Sequence, residues 1–169
     1  RASVNRVIDL YYMGRRIENR HAKFMQWSQQ SGVFYFYDTA GNVPMIDHQQ
    51  HRRRYLDILN RTKLFVVSPG KIINPDAKQL PEEIGYRYFE AAACGAIMIG
   101  DLPNSPVFKN TFNYRDAVIP IPADNDLSCF LDEFANPKIF DFARIRTSGY
   151  LNMLTYHDHV HWWNNLLHY

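Results

Sequence analysis

Residues Glu83 to Gly100 read EIGYRYFEAAACGAIMIG, and their punctuation decides the fold class. Glu83 to Cys94 predicts a helix whose alanine-rich end suits close packing, and Gly95 is a good helix stop. Ala96 to Gly100 is a short, continuous apolar run, the pattern of a strand buried on both faces. Helix, stop and buried strand together make the second half of a βαβ unit.

The same grammar extends outward in both directions. Leu64 to Val67 (LFVV) is the strand before that helix, stopped by Ser68-Pro69-Gly70. A long polar loop then runs to Pro81, and loops of that length in compact domains are usually functional or mobile. Val7 to Met13 (VIDLYYM) is a first buried strand ending at Gly14. Ile17 to Gln30 carries Ile17, Phe24 and Trp27 among charges and amides, an amphipathic helix that Gly32 ends. Val33 to Tyr37 (VFYFY) is a second strand, and His51 to Thr62 puts Tyr55, Ile58 and Leu59 on one helical face. Ala117 to Ile121 (AVIPI) is a fifth strand. Helices follow over Asp126 to Phe134 and Pro137 to Thr155, with a last short one through Trp162, Trp163 and Leu167. The prediction is an α/β fold: a Rossmann-like, mainly parallel sheet with helices on both faces. One domain spans 1–169, with a helical C-terminal extension over about 137–169.

Composition agrees and narrows the function. The chain has 169 residues, 46% hydrophobic and 21% charged, enough apolar surface for a core and too much for wholesale disorder. Nineteen Lys+Arg against 17 Asp+Glu leave a net charge of +2, too balanced for a dedicated nucleic-acid binder. Cys94 and Cys129 are too few for a disulfide scaffold or a four-thiolate zinc site. No apolar run approaches the ~20 residues of a membrane span. The start, Arg1-Ala2-Ser3-Val4, has neither signal core nor initiator Met, so a processed or excised piece of a longer chain is expected. The expected location is cytoplasmic, with membrane association in the full-length protein as the alternative.

Ligands of open parallel sheets bind beyond the carboxyl ends of the strands, near the switch in strand order. The candidates there are Gly14, Arg15, Arg16, Arg20 and Lys23 after the first strand, Glu82 to Gly85 after the third, and Asp101 after the fourth. Amides around Ile84 and Gly85 at a helix start favour an anion, and Gly85 allows close backbone approach. Arg15 or Arg16 could neutralise a phosphate. Glu90 lies about two turns beyond Glu82 on roughly the same face, and ionised carboxylates accept sugar or ribose hydroxyls. Spacing alone leaves this reading level with a duller one, of solvated arginines and carboxylates that merely favour a helix N-terminus.

The segment Glu82 to Gly95, EEIGYRYFEAAACG, shifts that balance. It resembles the donor-binding signature EGFGLPLLEAMACG of retaining GT-B glycosyltransferases, the large group 1 family. Glu82, Gly85, Glu90, Ala91, Ala93, Cys94 and Gly95 fall in register, and AIMIGD is similar to the family's next strand. Tyr12-Met13-Gly14-Arg15 resembles the family strand ending in Gly-Arg. The stretch from Arg54 to Val67 is similar to a branch related to spore-coat glycosyltransferase-like proteins. Arg20 stands where the family often has Lys, and Arg87 where it usually has Pro or a small residue.

The resemblance implies one half of a GT-B fold, the C-terminal donor half, with the N-terminal acceptor domain absent. It implies transfer of a hexosyl group, with retention, from a nucleoside-diphosphate sugar to a glycan, lipid or protein acceptor, without metal or other cofactor and without nucleic acid. Glu82 would contact hydroxyls of the transferred sugar, and amides near Ile84 and Gly85 would lie close to the sugar or phosphates. Glu90 would take the ribose hydroxyls. Arg15, with Arg20, would hold the diphosphate and stabilise the leaving group. Glu82 and Arg15 are the expected catalytic residues, in a domain expected to be inactive in isolation.

Other features rank lower. His157, His159 and His161 read as caps and surface histidines rather than metal ligands. His51-Arg52-Arg53-Arg54 reads as a solvated helix face, and Cys94 as a small packing residue. The alternative function is a non-catalytic GT-B-like module used in partner recognition. A dinucleotide or ATP enzyme loses support, because neither Gly-x-Gly-x-x-Gly nor a Gly-Lys-Ser/Thr loop is present.

Overall fold

The computed structural model describes residues 5–14, 16–38, 47–69, 83–122, 127–135 and 141–158. Within them the chain alternates as expected. Strand β1 is Ile8–Met13, helix α1 Glu18–Ser31, β2 Tyr35–Asp38, α2 His48–Asn60, β3 Thr62–Val67 and α3 Tyr86–Cys94. Then come β4 Ile97–Gly100, α4 Pro106–Thr111, β5 Val118–Pro120, α5 Leu127–Ala135 and α6 Phe142–Tyr156. The five strands form one parallel sheet in the order β2-β1-β3-β4-β5. This is a Rossmann-like α/β architecture, consistent with one half of a GT-B fold. The order reverses between β1 and β3, so their carboxyl ends open the crevice in which such sheets bind ligands.

Successive strand residues face opposite sides, and the buried residues divide accordingly. Tyr11, Phe65, Val67, Met98 and Val118 pack under α2, α3 and α4 through Tyr55, Leu59, Tyr88 and Phe108. Leu10, Tyr12, Leu64, Val66, Ile97, Ile99 and Ile119 pack under α1 and α5 through Phe24, Trp27 and Leu131. Helix α6 reaches both sides, with Met153 in the first cluster and Ile145 in the second. Strands covered on both faces need continuous apolar runs, which is why LFVV and AIMIG carry no alternation.

Element boundaries differ from the sequence reading by a few residues, at two helix starts for a local reason. Helix α2 begins at His48 because Asp47 caps it, accepting from the amides of Gln49 and Gln50, each at 2.9 Å. Thr62 starts β3 rather than ending α2. Helix α3 begins at Tyr86, since Gly85 is its extended N-cap residue. Helix α4 was not expected: six residues, opened by Pro106, carry too short a period to read. Both terminal helices are present, α5 from Leu127 and α6 from Phe142, where Asp141 accepts from the Arg144 amide. The segment through Trp162 and Trp163 lies outside the described residues. Among those described, no helix is long and apolar enough to cross a membrane.

Candidate functional site

A cleft of about 490 Å³ opens at the carboxyl ends of β1 and β3. Tyr12 and Met13 come to it from β1, Ser68 and Pro69 from the end of β3, and Gly85, Tyr86, Arg87 and Glu90 from the start of α3. His51, Arg52 and Tyr55 close it from α2.

Glu90 is the anchored carboxylate of this cleft, with a side chain only 15% exposed. Its Oε2 accepts from the Tyr55 hydroxyl at 2.9 Å and its Oε1 meets Arg52 Nη2 at 3.0 Å. Burial, and then the neighbouring Glu90 charge, push the Tyr55 phenol well above its ordinary pKa. Tyr55 therefore stays protonated as a donor and fixes the carboxylate's orientation. A carboxylate offers about four lone-pair directions, so two partners leave room for hydroxyl donors from a ligand.

Arg20, expected to hold a diphosphate, is paired across the strand ends. Its Nη1 and Nη2 clasp Asp101 at 3.0 and 2.9 Å, a two-pronged pair that joins α1 to the end of β4. Burial would lower the Arg20 pKa, but hydrogen bonds and charge from Asp101 outweigh it and hold the guanidinium above its ordinary value. Asp101 is tied further: Ser68 Oγ lies 3.4 Å from Oδ2, and the Tyr88 hydroxyl donates to its carbonyl at 2.7 Å. Asp101 is thus the knot between the ends of β3 and β4 and helices α1 and α3. The expected effect of Asp101→Asn is a loss of about 1–2 kcal/mol, reduced from a fully buried pair because the aspartate is 38% exposed. Urea unfolding reads it.

The remaining candidates divide. Gly14 lies at the cleft's edge, immediately after β1. Gly85 lines the cleft as the N-cap of α3, and Ile84 packs beside the core. Glu82 and Arg15 lie outside the described residues, as do His159 and His161. His157 caps α6, with its ring 5.4 Å from Phe89. Cys94 is half-buried, and its carbonyl accepts from Arg6.

Sequence reasoning missed His51, Arg52, Tyr55 and Arg87 as neighbours of the site. The basic run on α2 read as a solvated face, whereas His51 and Arg52 border the cleft and Arg52 pairs with Glu90. The available signal was the helical period, which sets Arg52 and Tyr55 on one face of α2. A second cavity, about 260 Å³, lies toward the amino ends of β1, β3 and β4, between Asp9, Lys63, Trp27 and Phe142.

Comparison with protein families finds one that covers nearly the whole chain. A family described as glycosyl transferase-like matches residues 6–168. No match was found among curated proteins. The parallel sheet, its cleft at the switch in strand order and this span of matched residues agree: the chain belongs to the glycosyl transferase-like family.

Proposed function

We propose that this chain is the donor-binding half of a retaining GT-B glycosyltransferase, taking a hexosyl group from a nucleoside-diphosphate sugar. The observation that carries the reading is Glu90, held by Tyr55 inside a cleft that joins two strand ends to a helix start. A nucleotide lying there gives its ribose hydroxyls to Glu90, and its phosphates meet the α3 N-terminus, where unpaired amides and the helix dipole favour an anion. Arg15 neutralises the diphosphate as it leaves, which is electrostatic stabilisation of the transition state. Glu82 receives hydroxyls of the transferred sugar. No metal takes part, and an N-terminal domain of the same enzyme seats a glycan, lipid or protein acceptor.

The test is a titration of the 169-residue chain with UDP, GDP, ADP and CMP by ligand-observed NMR. The expected result is selective binding of one nucleoside diphosphate. No binding of any of them up to millimolar concentration overturns the donor reading and favours a module used in partner recognition.

A further inference from the structure

We propose that Arg87 grips the diphosphate of the bound donor, a role that rests on the donor reading of the cleft. Arg87 belongs to the first turn of α3. A cation there is unfavourable for the helix itself, whose dipole places partial positive charge at that end. The side chain instead crosses to β1, where Nη1 donates to the carbonyl of Met13, the last residue of the strand.

Gly14 makes the room for it. A Cβ at Gly14 would meet the two terminal nitrogens of Arg87 at 2.5 and 2.8 Å and the central guanidinium carbon at 2.9 Å. Its φ of +86° also turns the chain away from the strand through a region that side chains disfavour. The guanidinium is therefore seated on bare backbone at the mouth of the cleft.

Charge makes the assignment. Arg20 is clasped by Asp101 and Arg52 is paired with Glu90. Among the described residues, Arg87 meets a neutral carbonyl and no carboxylate. That carbonyl orients the planar fork without cancelling its charge, and leaves four of its five N–H donors for a ligand. The N-cap residue Gly85 has no side-chain acceptor for the first-turn amides of α3, which add donors at the same cleft. A poised guanidinium beside uncapped amides suits a phosphate chain, whose oxygens accept bidentate, charge-assisted hydrogen bonds.

The experiment titrates the whole chain and its Arg87→Met and Arg87→Lys variants with the best-binding nucleoside diphosphate and with its nucleoside. Arg87→Met keeps the aliphatic stem and removes charge and donors. The expected result is a Kd for the diphosphate raised by about tenfold to a hundredfold, with the nucleoside changed less than about twofold. Arg87→Lys keeps the charge but not the fork and falls between. Unchanged diphosphate binding in Arg87→Met overturns the proposal and leaves the donor reading standing, with Arg87 as a brace for β1. Equal losses for nucleoside and diphosphate, with a lower Tm, overturn it in the same way. A wild-type chain that binds no diphosphate overturns both.

Discussion

Gly100→Ala is expected to remove a large part of the stability of this fold. Gly100 ends β4 with a φ of +145°, and it pairs in register with Val67 on β3. An added Cβ there would run into the Val67 carbonyl oxygen. The Cβ position is fixed by the backbone and the atom it meets is backbone of the neighbouring strand, so no rotamer change relieves it. Backbone strain of about 1–3 kcal/mol adds to a comparable overpacking cost. Their sum, about 2–6 kcal/mol, is a large part of the 5–15 kcal/mol that holds an ordinary domain together. Urea unfolding measures it directly. A variant within about 0.5 kcal/mol of wild type would mean that β3 and β4 do not approach this closely.

Glu90→Gln is expected to reduce nucleoside-diphosphate affinity by about tenfold to a hundredfold, the range set by charge-assisted hydrogen bonds. The substitution preserves shape but removes the charge and turns one acceptor into a donor. The new amide cannot satisfy Tyr55 and Arg52 and still take two hydroxyls. The cost to stability should stay near 1 kcal/mol, because Arg52 is 65% exposed and returns to water. Tyr55→Phe is the companion variant: it leaves the carboxylate but removes the hydroxyl that orients it, and should weaken binding less. Calorimetric Kd values and melting curves on the same samples separate the two roles of Glu90. A fall in melting temperature that accounts for the whole loss of affinity would make Glu90 structural.

The layer order was legible because strands buried on both faces write themselves as unbroken apolar runs. VIDLYYM, LFVV and AIMIG each lie within a residue or two of the strand they predict. Helix starts were less legible, since Asp47 acts through a cap that lies before the periodic residues and Gly85 delays α3 by its extended conformation. Helix α4 escaped altogether, as six residues hold under two turns. At the candidate site, Gly14 and Gly85 were legible from their position at a strand end and a helix start, and Glu90 from its spacing to Glu82. The pairings were not. Nothing in the order of residues says that Arg20 will reach Asp101, 81 positions away, or that Tyr55 will meet Glu90 across two helices. Arg87 showed only as a departure from the family signature, and the carbonyl that receives it lies on β1, 74 positions away. Such contacts depend on how the crossovers bring the elements together, which local patterning does not encode.

The central claim is that the donor lies across the carboxyl ends of β1 and β3 against the start of α3. Amide shift mapping of the isotope-labelled chain, with and without the nucleoside diphosphate that binds best, tests it most directly. The account predicts the largest shifts at Met13, Gly14, Ser68, Gly85, Arg87 and Glu90, with those around Asp9, Lys63 and Arg146 at the opposite, amino-terminal end of the strands unmoved. Shifts concentrated at that opposite end, or spread evenly with none at Gly85 to Glu90, would contradict it.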